Sequence, residues 1–433
     1  MKSKSKIISL FSVAALFFFS GCPGDKIVSI TEIWMSQSAA AMTLGDKLYL
    51  SAVIYPESAT HKTVRWESNK PAIASVSDIG MVSAQAAGTA VISVIAQDGG
   101  KSATCDITVT EPPKPQEPSK NVVVAYHNGT EIDVNLVTHI MFSFAQVNMT
   151  TYDRINVNEN ILRTLANYKN IKPSLKISVA IGGWGAGGFS EMAGDEQKRL
   201  AFAQDCKRLI VATNIDGIDL DWEYPGSSVA GIVSSTQDKE NFTLLCRDIR
   251  DAIGDDKLLT FASPANANFV DFQAVMPYID FVDVMTYDMG NPPNYHHSAL
   301  YKSTKTNYSC DQAVTAHFNA GVPYEKMVLG IPFYGRTDPS LSSGDNAAIY
   351  RDIIGNNWLG NPNRRKLWDD ISKVPYIVDE TGKMICTYDD PESIAIKCKW
   401  ILEKGIYGAM YWHYSHDDNS STLRRAVFNG INR

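Results

Sequence analysis

The chain has 433 residues, more than one ordinary domain holds, and is 44% hydrophobic, 20% charged and 10% aromatic. That is the composition of a folded protein with a sizeable core. Its net charge of −7, from 40 basic and 47 acidic residues, excludes the basic footprint of a nucleic-acid binder. It says little about a neutral polymer, which needs no charge complementarity.

The first residues read as a targeting segment. Lys2, Lys4 and Lys6 precede an apolar run over 7–19, which is too short to span a membrane comfortably. The run ends in Ser20-Gly21-Cys22, which resembles a bacterial lipobox. On that resemblance residues 1–22 are a lipoprotein leader. Cys22 becomes the lipid-bearing N-terminus, and the chain is anchored to a membrane of the bacterial envelope, at the outer membrane or cell surface, with the rest outside the cytoplasm.

Residues 26–110 hold short alternating runs separated by turns, at 48–54, 64–66, 72–76, 81–83, 90–94 and 105–110. Strands at this spacing predict a small β-sandwich. The pieces Val64-Arg65-Trp66, Ala72-Ile73-Ala74-Ser75-Val76 and Ala87-Gly88-Thr89 resemble the group 2 bacterial immunoglobulin-like domain. Trp66 is expected in its core, and the domain is expected to act as a spacer or a weak surface binder. Cys105 alternates in step with Ile107 and Val109, so it is read as a buried thiol. No CxxC or HExxH motif occurs, so no metal and no cofactor are expected. Residues 111–119 contain four prolines in nine positions and read as a stiff linker.

Over 120–433 the pattern changes to strand-then-helix. Apolar runs at 122–125, 140–144, 176–181, 217–221, 258–262, 281–285, 327–331 and 407–412 alternate with amphipathic stretches such as 197–213 and 238–253. Eight such units predict an α/β fold of the (β/α)8 TIM-barrel class, whose active sites lie at the C-terminal ends of the strands. The fourth run continues as Asp219-Leu220-Asp221-Trp222-Glu223. Strand side chains alternate with period two, so Asp219, Asp221 and Glu223 share the face directed into the barrel. Leu220 and Trp222 point towards the helices, and Asp216, out of phase, serves the turn. Three carboxyls stacked on a buried face repel each other and lose hydration, which raises the pKa of at least one and suits it to donate a proton near neutral pH. A calcium loop would need a glycine and further oxygen ligands where Tyr224 and Pro225 stand.

At these residues the chain resembles glycoside hydrolase family 18, whose D-x-x-D-x-D-x-E signature is matched by Asp216, Asp219, Asp221 and Glu223. Gly182-Gly183-Trp184, Met285-Thr286-Tyr287-Asp288, Ile331 to Arg336 and Trp412 follow in the family's order. The resemblance implies a retaining reaction in which the substrate's own N-acetyl group is the nucleophile. It implies Glu223 as the acid, Asp221 as the holder of the acetamido N–H, Asp219 as its proton partner and Tyr287 as a donor to the acetamido oxygen. Trp412 is implied as the sugar floor, with Asp288, Arg336, Met285, Trp184 and Tyr126 as further substrate-binding residues. The implied substrate is chitin or another N-acetylglucosamine-containing glycan, cleaved by a monomer. An endo-β-N-acetylglucosaminidase on N-glycans and a non-catalytic chitin-binding lectin are the alternatives. The lectin generally lacks the acid that Glu223 supplies here.

Two departures from the family pattern matter. Ala180 stands where a serine usually supports the innermost aspartate, which leaves Tyr126 to reach Asp219. In addition, only about 50 residues lie between the seventh strand and Tyr388-Asp389-Asp390-Pro391. That segment is expected to leave a shallow, open groove and endo cleavage.

Overall fold

The computed structural model describes residues 27–110, 121–341, 346–355 and 358–432. The expected lipoprotein leader, residues 1–22 with Cys22, and the expected linker, residues 111–119, lie outside the described residues. The chain divides into two compact units, Met1–Glu117 and Pro118–Arg433.

Among its described residues the first unit is all β. A four-stranded sheet runs in the order Ala39–Thr43, Ser102–Thr110, Gly88–Ala96, Val64–Ser68. A three-stranded sheet joins Lys47–Tyr49, Met81–Ala84 and Ala74–Val76, and Glu32–Met35 pairs with Ala52–Tyr55. The run 48–54 is therefore two strands in different sheets. The chain breaks at Leu50, whose side chain is fully buried and whose N–H bonds the Gly80 carbonyl. Such a switch of sheets is how a sandwich turns its corner. Cys105 packs with Leu50, Ile92 and Ile107 in the core, and Trp66 is half-buried between two apolar clusters. Gly80 has φ +81°, and a Cβ there would lie 2.9 Å from the Trp66 ring.

The second unit is a closed barrel. Its strands are β1 (Val122–His127), β2 (His139–Val147), β3 (Lys176–Gly182), β4 (Gly217–Asp221), β5 (Leu258–Pro264), β6 (Phe281–Met285), β7 (Met327–Pro332) and β8 (Gly408–Trp412). All neighbours pair in parallel, and β1 closes on both β2 and β8. Nearly every strand residue is buried on both sides, as helix-covered parallel strands require. The helix Glu196–Thr213 is capped by Asp195, which accepts the N–H groups of Gln197 and Lys198. Trp222 faces this outer layer, stacked on Phe189 at 5.3 Å and edge-on to Phe242. Asp216 serves the turn, accepting the Ile177 N–H at 2.9 Å and pairing with Lys169 at 3.2 Å.

The segment after β7 carries its own small sheet. It forms five antiparallel strands, in the order Ala347–Ile349, Tyr334–Thr337, Met384–Thr387, Val374–Val378, Arg365–Asp369, with a short helix Tyr350–Ile353. Apolar runs such as Val374–Val378 are fully buried, so the segment has enough hydrophobic surface to fold as a small α+β insert rather than a plain connection. Tyr388 to Pro391 then starts the next helix. Asp390 and Ser393 form a capping box, and Asp389 pairs with the fully buried Lys397 at 2.7 Å.

Candidate active site

The C-terminal ends of the strands surround a cleft of about 1220 Å³. Asp221, Glu223, Tyr287, Asp288, Arg336 and Trp412 all line it, as do Met285 and Trp184. Eight of the ten catalytic and substrate-binding residues singled out in the sequence thus converge on one cavity. The other two, Asp219 and Tyr126, lie beneath it, with 0% and 2% exposure. Tyr126 is corrected from a substrate-binding residue to a supporting one, because it sits in the barrel interior with its hydroxyl already engaged.

The carboxyl row has the alternation expected of β4. Asp219 Oδ2 accepts the Tyr126 hydroxyl at 2.8 Å, and its Oδ1 accepts the Thr260 hydroxyl at 2.7 Å. Ala180 and Thr260 both pair with Asp219 across the sheet, from β3 and β5 respectively. The hydroxyl missing on one side is therefore supplied from the other. Gly182, at φ +121°, lets β3 end against β4: a Cβ there would lie 2.1 Å from the Asp221 carbonyl oxygen, which accepts the Gly183 N–H at 2.9 Å.

Burial dominates the protonation of this row. It pushes Asp219 up to about 6, with Thr260 and Tyr126 pulling back. Asp221 is driven well above the carboxylate range by burial and by repulsion from Glu223, Asp219 and Asp283. One oxygen of Asp221, Oδ1, has no hydrogen-bond partner among the described residues. Glu223 rises to about 7 by burial, partly offset by the Tyr224 hydroxyl and reinforced by Asp288. A carboxyl with that value holds a proton when substrate arrives and can release it within the pH range where it works. Burial also pushes the Tyr287 phenol far up, so it remains a hydrogen-bond donor.

Asp288 behaves oppositely. Burial pushes it up, but His297 and Arg336 overcome that and hold its carboxyl well below the usual range. Arg336 grips it with two bonds of 2.6 Å, from Nε to Oδ1 and from a terminal nitrogen to Oδ2, and Tyr334 donates at 2.9 Å. Asp288 has φ +57°, an unfavourable backbone region for a non-glycine residue that these bonds hold in place.

Aromatic rings complete the cleft. Trp412, at the end of β8, stacks on Phe144 with centroids 5.4 Å apart and planes at 23°. Trp184 is 63% exposed at the rim and meets Tyr224 edge-on, while Tyr224 stacks on Phe269. Sequence reasoning passed over Phe144, Tyr224, Tyr334, His297, Thr260 and Asp283. The signal for Asp283 was present: it shares parity with Met285 and Tyr287, so β6 turns it inward. Among the described residues no group of histidines, cysteines and acids could hold a metal ion.

A closed parallel barrel with a proton-holding carboxyl in an aromatic-lined cleft defines the class: a TIM barrel equipped for acid–base chemistry. The chain belongs to glycosyl hydrolases family 18, which matches residues 117–417, and residues 29–107 match the bacterial Ig-like domain (group 2). It is 31% identical over 302 residues to chitinase A1 of Niallia circulans, covering 60% of this chain. It spans only 43% of that protein's length. Mouse chitotriosidase-1 is 30% identical over 325 residues, covering 66% of this chain and 68% of its own. Among solved structures, a family 18 N-acetylglucosaminidase from Paenibacillus barengoltzii superposes with a TM-score of 0.65 at 33% identity, covering 72% of this chain and 99% of that one.

Proposed function

We propose that the chain hydrolyses β-1,4-linked N-acetylglucosamine polymers, chitin or chito-oligosaccharides, with retention and with the substrate's acetamido group as nucleophile. The observation that carries this reading is Glu223, held protonated up to about 7 at the cleft floor beside Asp221. The other lining carboxylate, Asp288, is tied to Arg336 and is a poor nucleophile. Glu223 gives its proton to the glycosidic oxygen as the acetamido oxygen attacks the anomeric carbon and the C–O bond breaks. Asp221 accepts the acetamido N–H, and Tyr287 donates to the acetamido oxygen as charge develops there. The Glu223 carboxylate then takes a proton from water, whose oxygen opens the oxazolinium ring and restores the acetamido group. Trp412 supports the sugar face throughout.

Cleavage is internal. A cleft of about 1220 Å³ exceeds the usual ~300–1,000 Å³ of small-molecule pockets, so it accepts several sugar rings. Incubation with a chito-hexaose and with a high-mannose glycoprotein tests substrate and mode together. Mixed short oligomers whose first-formed reducing end is the β-anomer are expected from the hexaose. An α-anomer first, or release of glycans alone, refutes the reading.

The leader supports a further proposal: Cys22 carries lipid and tethers a monomer to the bacterial envelope, with the immunoglobulin-like domain as spacer. Cys22→Ala is expected to move the protein from the membrane to the soluble fraction. Unchanged fractionation refutes the anchor.

A further inference from the structure

Beneath the row that performs the proposed hydrolysis lies a fourth carboxyl. Asp283, on β6, is 0% exposed, and its Oδ2 lies 3.1 Å from the Tyr126 hydroxyl. The same hydroxyl lies 2.8 Å from Asp219 Oδ2. A phenol has one hydrogen, so it can donate to only one of two carboxylates. Both contacts are hydrogen bonds only if a second proton is present: one carboxyl must be neutral and donate to the phenol oxygen, while the phenol donates to the other.

The surroundings say where that proton rests. Asp219 has two donors, Thr260 and Tyr126, which favours its ionised form. Asp283 has no second donor, and its Oδ1 is buried without a partner among the described residues. An unpartnered carboxylate oxygen in such a place is far more unfavourable than an unpartnered carbonyl oxygen. Across the sheet Asp283 pairs with Ala262 of β5 and Val328 of β7, neither of which offers a charge. The titratable groups facing it are Tyr126 from β1 and Asp219 and Asp221 from β4, with Tyr287 further along its own chain. Burial and the Asp219 charge drive Asp283 well above the ordinary carboxylate range, in line with that geometry.

We infer that Asp283 is a buried proton store, linked by the Tyr126 phenol to Asp219. Asp219 rests as the carboxylate and can hand a proton to Asp221 only after it has received one. In the relay that supplies it, the Asp283 O–H bond breaks and its proton goes to the phenol oxygen, while the phenol O–H breaks and its proton goes to Asp219. One proton moves from Asp283 to Asp219, Tyr126 is neutral before and after, and Asp283 becomes the carboxylate. Asp283 touches no substrate: it is a positioning residue that acts through Asp219. The inference rests on the proposed function for its consequence in catalysis, but not for the resting place of the proton.

Asp283→Asn separates storage from structure. The amide can still donate to Tyr126, but it cannot give up a proton. Infrared difference spectra of the unliganded full chain at neutral pH are expected to lose one buried protonated-carboxyl band, a result independent of any activity. With a chito-oligosaccharide substrate, kcat is expected to fall on the order of tenfold with KM little changed, and the basic limb of the kcat profile to move to lower pH. Tyr126→Phe cuts the link between the two carboxyls. It is expected to displace the same limb, and it serves if Asp283→Asn does not fold. An unchanged infrared band overturns the proton store. A lost band with an unchanged pH profile in both variants overturns the link to catalysis. If the wild-type chain cleaves no N-acetylglucosamine substrate, the functional reading falls while the infrared result still decides the store.

Discussion

Asp283 and Asp288 stand on and just past the same strand, yet the barrel treats them in opposite ways. Asp283 faces inward among other acids and apolar neighbours, and burial pushes its carboxyl up. Asp288, 41% exposed at the cleft, is gripped by Arg336, with His297 Nδ1 3.6 Å away, and is held down. The floor of the cleft therefore accumulates protons and the rim accumulates fixed charge. Residue type does not set this difference; partners and hydration do. Glu223 sits between the two regimes, with a value near the pH at which proton transfer is most useful.

Several variants test that division. The largest effect is expected for Glu223→Gln, which leaves the floor neutral but unable to donate. Its kcat should drop by roughly 10³, within the ~10²–10⁴ typical of a general acid, while oligosaccharide affinity measured by calorimetry changes little. Substantial retained turnover would assign the acid elsewhere.

The same substitution should alter stability with a definite sign. The folded value of Glu223, about 7, lies above the ordinary 4.5 of a glutamate side chain. Its favourable contribution is therefore complete at acid pH and is lost as pH rises through about 7. Glu223→Gln should gain stability relative to wild type between about pH 4 and about pH 8, on the order of 2 kcal/mol, read from paired denaturant titrations. A relative loss over that interval would mean the floor does not store protons.

At the rim, Arg336→Ala leaves Asp288 without its bidentate partner. A rise in KM of roughly tenfold is expected, with kcat less affected, as for a group that orients the bound sugar. A smaller effect is expected of Thr260→Val, which removes one of the two donors to Asp219. That loss lets burial push Asp219 up further and should reduce kcat about threefold. Adding Ala180→Ser, which restores a hydroxyl from the other neighbouring strand, should recover part of the loss.

The sequence made the barrel legible because helix-covered parallel strands are continuous apolar runs, and the eight runs lie on the eight strands. Period two on β4 put Asp219, Asp221 and Glu223 on one face before any coordinates. The same rule applied to β6 would have found Asp283, but a single aspartate inside Phe281–Met285 draws less notice than three in a row. Other features were beyond local pattern. Thr260 reaches Asp219 across the sheet, and Tyr334 reaches Asp288 from the insert. Both depend on which segments become neighbours. The division of 48–54 into two strands was hidden for a similar reason: Leu50 continues the apolar run while the backbone changes sheets.

The six described cysteines, Cys105, Cys206, Cys246, Cys310, Cys386 and Cys398, are all buried. Cys105, Cys206, Cys246, Cys310 and Cys386 are free thiols that contribute no crosslink, so their part of the fold is indifferent to whether its surroundings oxidise or reduce. They also give the molecule a built-in clock. A thiol reagent added to the native protein can react at these positions only when the core opens, so the labelling rate reports opening of each unit. Cys105 keeps time for the sandwich, and Cys206, Cys246, Cys310 and Cys386 for the barrel unit.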